Sequence, residues 1–341
     1  MLMPVARGAC IACSFAILIA GCSGSQPSTG GQSLSLGELD GARPTPLATG
    51  LPVANKHVSA GWFSTAAPVR HGSPPVTQYL YVANQSNNEI DVYLEKGRWT
   101  STVGEISTGI DGPYGLYVDR QHALYVANQR NNTVTEYPNG ATSPLVTYSQ
   151  GLDRPLYPLV DRHGDLFVGN ANNGTVVEYL AGSTTAYQTI QTAGTEADGM
   201  DFDQQGNLYV AYRNTAGVGS IEKFPPGSTQ GTILGMTLNQ PQGVIVDNSG
   251  NILAVETGAA RRVDVFAQSV GAQAPSLEEQ TCHIGTQLAL DKSQAEIFLS
   301  TLSGIVYVAP FPLRGQKPYG YVKDETPTIT TQGVTITDSQ F

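Results

Sequence analysis

Four cysteines in 341 residues are too few for a dense disulfide framework, and charge is scarce, with Asp, Glu, Lys and Arg together at 13%. Basic residues number 18 against 28 acidic ones, giving a net charge of −10, and no run of Lys and Arg occurs. Phosphate backbones are bound by clustered cations, so nucleic acid is not an expected partner. Downstream of residue 21 there is no HExxH helix, phosphate loop, nucleophile elbow or CxxC pair, which removes the commonest single-motif enzymes. What is plentiful is Gly (38), Pro (21) and Tyr (16). At 40% hydrophobic residues the chain can fold, and this composition suits many short strands joined by tight turns.

The N-terminus reads as a targeting segment. Arg7 supplies a short positive region, and Ala9 to Ala20 is apolar but short of the ~20 residues that a membrane span needs. Leu18-Ile19-Ala20-Gly21-Cys22 then resembles the lipobox of bacterial lipoproteins. The resemblance implies a signal peptide over 1–21 and a lipid on Cys22. It implies export and attachment through that lipid to a membrane of the cell envelope. Ser23, where Asp commonly signals inner-membrane retention, points to the outer membrane. An ordinary signal peptide with an incidental Cys, or an uncleaved anchor, is the other reading. Cys10 and Cys13 would leave with the signal, so Cys282 has no disulfide partner if Cys22 is acylated. It reads as a buried thiol. Residues 22–50 form a polar tether. Residues 51–78 form a flank whose Trp62 and Phe63 are expected to dock on the following domain, since burying each is worth about 1.5–3 kcal/mol.

From residue 79 to 341 the chain repeats itself. One strand recurs as Leu80-Tyr81-Val82-Ala83, Leu124-Tyr125-Val126-Ala127, Leu166-Phe167-Val168-Gly169 and Leu208-Tyr209-Val210-Ala211. Weaker copies begin at Ile252 and Ile297, and the spacings are 44, 42, 42, 44 and 45. A strand ending in Asp119, Asp161, Asp203, Asp247 or Asp291 precedes each copy but the first. Each Asp opens a tight turn and reads as an acceptor for turn N–H groups. Four short strands per 40–45 residues is the signature of a propeller blade. The first copy lacks its preceding strand, and Gln332-Gly333-Val334-Thr335-Ile336-Thr337 at the other end of the chain matches it. The expected fold is therefore all-β: a six-bladed β-propeller of four antiparallel strands per blade. Val334 to Thr337 should pair with Leu80 to Ala83 and close the ring.

The blade pattern resembles NHL-type repeats, in Gly115-Leu116-Tyr117-Val118-Asp119, Leu124-Tyr125-Val126-Ala127-Asn128 and Asn131-Asn132-Thr133-Val134. Ala60-Gly61-Trp62-Phe63 before the first strand is similar to a group of exported propellers of soil bacteria. Such propellers mostly bind proteins, nucleic acids or small ligands, and a minority are enzymes, so the fold does not choose the function.

Strand order puts the second-to-third strand loops and the crossovers between blades at one end of the channel. Candidate ligand-binding residues gather there: Asn128, Asn170 and Glu256 closing second strands, Tyr157, and Glu196, Asp198 and Arg213 of a single blade. Asn in such loops also serves turn geometry alone. Asp201 is the sharpest oddity, an acid in mid-strand where other blades carry Tyr117, Leu159, Ile245 and Ala289. Three carboxylates within six residues attract a cation unless Arg213 neutralises them. Gluconolactonase-like hydrolases and virginiamycin B lyase-like proteins, which such propellers resemble, imply a divalent metal or a His base at this mouth. Only His283 reaches that end. The expectation is a monomeric, non-catalytic scaffold, without a cofactor, binding a protein, glycan or small ligand. A Ca²⁺- or Mg²⁺-dependent lactonase-like hydrolase or lyase is the alternative.

Overall fold

The computed structural model describes residues 78–95, 99–259, 261–267, 275, 277–280, 285–291, 293–313, 320–323 and 331–338. Cys22, the tether, the flank with Trp62 and Phe63, Cys282 and His283 lie outside the described residues.

Strands β1 (Gln78–Asn84), β2 (Glu89–Glu95) and β3 (Trp99–Ile106) open the chain of sheets. A second group is β4 (Pro113–Val118), β5 (Leu124–Asn128), β6 (Thr133–Tyr137) and β7 (Val146–Tyr148). A third is β8 (Pro155–Val160), β9 (Leu166–Asn170), β10 (Thr175–Tyr179) and β11 (Ala186–Gln191). The fourth is β12 (Glu196–Phe202), β13 (Leu208–Arg213), β14 (Val218–Phe224), β15 (Thr232–Ile233) and β16 (Leu238–Asn239). The fifth is β17 (Pro241–Val246), β18 (Ile252–Glu256), β19 (Arg262–Phe266) and β20 (Leu277–Gln280). The sixth is β21 (Gly285–Leu290), β22 (Glu296–Thr301), β23 (Ile305–Pro310) and β24 (Gly320–Lys323), and β25 (Thr331–Asp338) follows.

Each group is one antiparallel sheet in sequence order, and β25 joins the first to give β25-β1-β2-β3. In that pairing Val82 faces Val334 and Leu80 faces Ile336. The fourth sheet departs from four strands. Its outer edge is split, with β15 and β16 both on β14. Gly235, at φ 77°, turns the chain between them, and the Met236 that follows dips into the core at 5% exposure.

The sheets are covered on both faces, which is why β5, β9 and β18 are buried at every position instead of alternating. An apolar cluster fills each space between neighbours. Leu159 and Phe167 of the third sheet, for example, meet Met200 and Leu208 of the fourth. Another such cluster joins Phe298, Val306 and Val308 of the sixth sheet to Leu80, Val82 and Val334 of the first. The first strands themselves pack in succession: β4 on β8, β8 on β12, β12 on β17, β17 on β21, β21 on β25, and β25 on β4.

Glycine makes that approach possible. A Cβ on Gly115 would stand 2.3 Å from the Leu156 carbonyl oxygen, and one on Gly199 would stand 2.4 Å from that of Gln242. The repeating Asp does what its position suggests. Asp161 Oδ1 accepts the N–H groups of His163 at 2.7 Å and Asp165 at 2.9 Å, and Asp119, Asp203 and Asp247 make the same pair of bonds in their own turns.

Candidate functional site

Every pairing of a first strand with its second strand carries a register shift near the start of the first strand, as between Pro113 and Leu116, Ala197 and Met200, and Pro241 and Val244. A bulge re-aims the side chains around it. Here residues beside the bulge reach across to other first strands. Tyr114 donates its hydroxyl to Gln242 Oε1 at 3.2 Å, 128 residues away. Tyr157 donates to the Thr286 carbonyl at 3.1 Å. The two rings meet edge to face with centroids 5.5 Å apart. Gln287 crosses to β4, donating to the Leu116 carbonyl at 2.8 Å and accepting the N–H groups of Leu116 and Val334, each at 3.2 Å. These bonds cross-link strands distant in the sequence.

Asn128, Asn170 and Glu256 are all buried, and each holds the crossover that leads into its own sheet. Asn128 Oδ1 accepts the N–H of Asp111 at 3.0 Å, Asn170 Oδ1 that of Asp153 at 3.0 Å, and Glu256 Oε1 that of Asn239 at 3.2 Å. The separation is 17 residues in all three, so the same latch recurs in the second, third and fifth sheets. The two Asn amides also donate to the Gly109 and Gly151 carbonyls, at 3.2 and 3.0 Å. These side chains serve as joints, and with buried Tyr157 they are not presented to solvent.

The acids of the fourth sheet separate. Arg213 donates through Nη2 to Glu196 Oε2 at 2.5 Å and stands 3.3 Å from Asp198 Oδ2 through Nε. Asp198 is wholly buried, and neither of its oxygens accepts a hydrogen bond. Burial pushes its carboxyl up to about 8, against the pull of Arg213 in the other direction. Asp201 points elsewhere: Oδ2 accepts the N–H of Val246 at 2.7 Å and Oδ1 that of Phe202 at 2.9 Å. Burial raises it to about 7. In the matching place of β4, Tyr117 donates to the Val160 carbonyl at 3.2 Å, so this position ties one first strand to the next in both sheets. For a divalent ion to be held by Glu196 and Asp198, Arg213 has to leave them. Among the described residues no group of three His, Cys, Asp or Glu side chains is placed to hold a metal ion.

The opposite end is open. There the turns after first strands and the loops after third strands surround a cleft of about 470 Å³ between the third and fourth sheets. Leu159, Phe167, Ile190 and Leu208 line its apolar wall, and Arg120, Arg162, Gln204 and Asn248 its polar mouth. Phe167 and Phe202 meet edge to face at 5.3 Å. At its inner end the cleft shares Tyr117, Asp201, Phe202 and Val246 with a cavity of about 300 Å³ between the first strands. The sequence reading missed this site. Its one signal is that the residue after each turn Asp is Arg120, Arg162, Gln204, Asn248 or Lys292, never an acid.

No protein-family model matches the chain, and no curated protein matches it. Solved structures do. A chain of a nidogen/laminin complex superposes with a TM-score of 0.64 at 15% identity, over 77% of this chain and 100% of that one. The fold is a β-propeller. Hydrazine synthase of Kuenenia stuttgartiensis matches with a TM-score of 0.51 at 12% identity, over 68% and 73% of the two chains. A streptogramin B lyase structure gives 0.48 at 9% identity, over 73% and 75%. At these identities the likeness is one of fold alone.

Proposed function

We propose that this propeller has six NHL-type blades and is closed by β25, and that it is a non-catalytic scaffold binding a small ligand in the cleft between the third and fourth sheets. Closure is supported by the β1–β25 pairing and by the apolar cluster joining the sixth sheet to the first. Cys22 carries the lipid, 22–50 is the tether and 51–78 docks on the body, which works as a monomer at the outer membrane.

One contrast carries the binding reading. At the crossover end Asn128, Asn170, Glu256 and Tyr157 are occupied by internal hydrogen bonds and Asp198 is paired with Arg213, whereas the cleft at the other end has the size of a small-molecule pocket, a few hundred Å³ with an apolar wall and a polar mouth. Titrating the neutral fluorescent probe N-phenylnaphthylamine tests it. Saturable binding is expected, and Gln204→Trp, which places a bulky ring on an exposed mouth residue, should abolish it. Binding untouched by that substitution would move the site elsewhere.

A further inference from the structure

We infer that the cleft selects an amphipathic organic anion, with its acidic head between Arg120 and Arg162 and its apolar body along Phe167 and Leu159. The inference rests on the cleft being the ligand site and names the ligand's chemistry.

The carboxylates lining the cleft already have donors. Asp161 and Asp247 each hold two N–H groups of their own turns, Asp165 accepts the Ala181 N–H at 2.7 Å, and Glu178 accepts the Gln188 amide. Asp203 is paired with Lys223 at 3.4 Å. The cations at the mouth are not matched in this way. Arg120 and Arg162 are exposed, and among the described residues neither guanidinium has a carboxylate partner. Among the described residues Arg162 is engaged with its neighbour alone, Nε to His163 Nε2 at 3.2 Å.

Arg162 is also placed. Its guanidinium lies 4.0 Å from where a Cβ of Gly206 would be, so it reaches from the third sheet across to the turn of the fourth. Six carboxylates line the same cleft, so the two arginines act at contact range, through guanidinium N–H groups that no carboxylate of the described residues accepts. A planar, permanently charged fork suits carboxylate, sulfonate or phosphate oxygens. Beside it the Gln204 amide donates to the Asn248 carbonyl at 3.2 Å and to Asn248 Oδ1 at 3.3 Å, which leaves the Asn248 amide facing the mouth as a donor. Asp201, at the inner end, sets the direction: the anionic head stays at the mouth, and the body points inward along the aromatic pair.

Two probes with the same aromatic core separate charge from apolar contact. Anilinonaphthalene sulfonate carries an anionic head, and N-phenylnaphthylamine does not. Fluorescence titration of the full chain should show the sulfonate binding roughly tenfold tighter or better, as for a charge-assisted contact. The Arg120→Gln/Arg162→Gln double variant should bring that ratio to about one, leave the neutral probe's affinity unchanged, and melt like the parent, since both residues are exposed. Equal affinities in the parent, or a ratio surviving the double substitution, overturns the anion inference while the cleft stands. Failure of both probes to bind overturns the cleft as well.

Discussion

Replacing Asp198 with Asn should flatten the pH dependence of stability and raise stability on the alkaline side. The side chain is wholly buried, its oxygens accept no hydrogen bond, and burial lifts its carboxyl from 3.8 to about 8 despite Arg213 at 3.3 Å. Between those values the folded protein holds a proton that the unfolded chain has released. The unfolded state binds fewer protons there, so stability falls as pH rises. The contribution is complete below the unfolded value and gone above the folded one. Each unit is worth about 1.4 kcal/mol, and the span of about four units comes to roughly 6 kcal/mol, most of it between pH 5 and pH 8. Asn keeps the shape and carries no charge, and it leaves Arg213 with Glu196. For a domain of this size, each kcal/mol moves Tm by about 2–4 °C. Thermal melts of both proteins at pH 5 and pH 8, at one ionic strength, should show the Asn variant drawing ahead of the parent by about 10 °C or more across the interval. Parallel curves would show that Asp198 does not titrate there. A carboxylate charged throughout and stabilised by Arg213 gives such parallel curves, refuting burial as the larger influence.

Gly199→Ala should cost about 1–3 kcal/mol, because the new Cβ meets the backbone of β17, 2.4 Å from the Gln242 oxygen and 2.7 Å from Gly243 Cα. Urea denaturation gives the loss, and an unchanged midpoint would mean that the first strands do not approach so closely. Asp161→Ala should lose about 1–2 kcal/mol with two turn N–H groups left without their acceptor. Arg162→Gln next to it should stay within about 0.5 kcal/mol, and equal losses would contradict the division of labour in that turn. Deleting 331–338 strips β1 of a neighbouring strand and should lower both Tm and solubility, so a truncated chain with the parent's melting curve would count against closure by β25.

Sequence spacing made the sheets legible because each is a local unit. Recurrence of Leu124-Tyr125-Val126-Ala127 and its relatives marks the second strands, and the repeated Asp marks the turn before them. Even the non-local β1–β25 pair was readable, since the last strand matches what the first repeat lacks. The candidate site was less legible. Asn128 and Glu256 look alike in role only once both are seen to accept a crossover N–H, and no residue pattern distinguishes such a latch from a ligand-binding side chain. Cross-links such as Tyr114 to Gln242 or Gln287 to Leu116 span 128 and 171 residues and depend on a bulge that leaves no fixed residue signature. The fourth sheet's split edge was invisible for a similar reason: one Gly at positive φ is unremarkable in a chain with 38 of them.

The two ends differ because the repeat assigns them different work. At the crossover end the chain must pass from the rim of one sheet to the first strand of the next, and it arrives with backbone N–H groups that need acceptors in a buried place. Asn128, Asn170 and Glu256 meet that demand, and Tyr114 and Tyr157 bond across to other first strands. Polar residues accumulate there out of structural need. At the turn end one carboxylate does the structural work, since the Asp oxygen holds both N–H groups of its turn and closes it. The residue that follows is not needed to close that turn and lines the mouth, although Gln204 also donates to Asn248. Arg120, Arg162, Gln204 and Asn248 stand in that position in successive sheets. Side chains there can be set by a ligand at little cost to the fold, which is the physical ground for proposing recognition at that end.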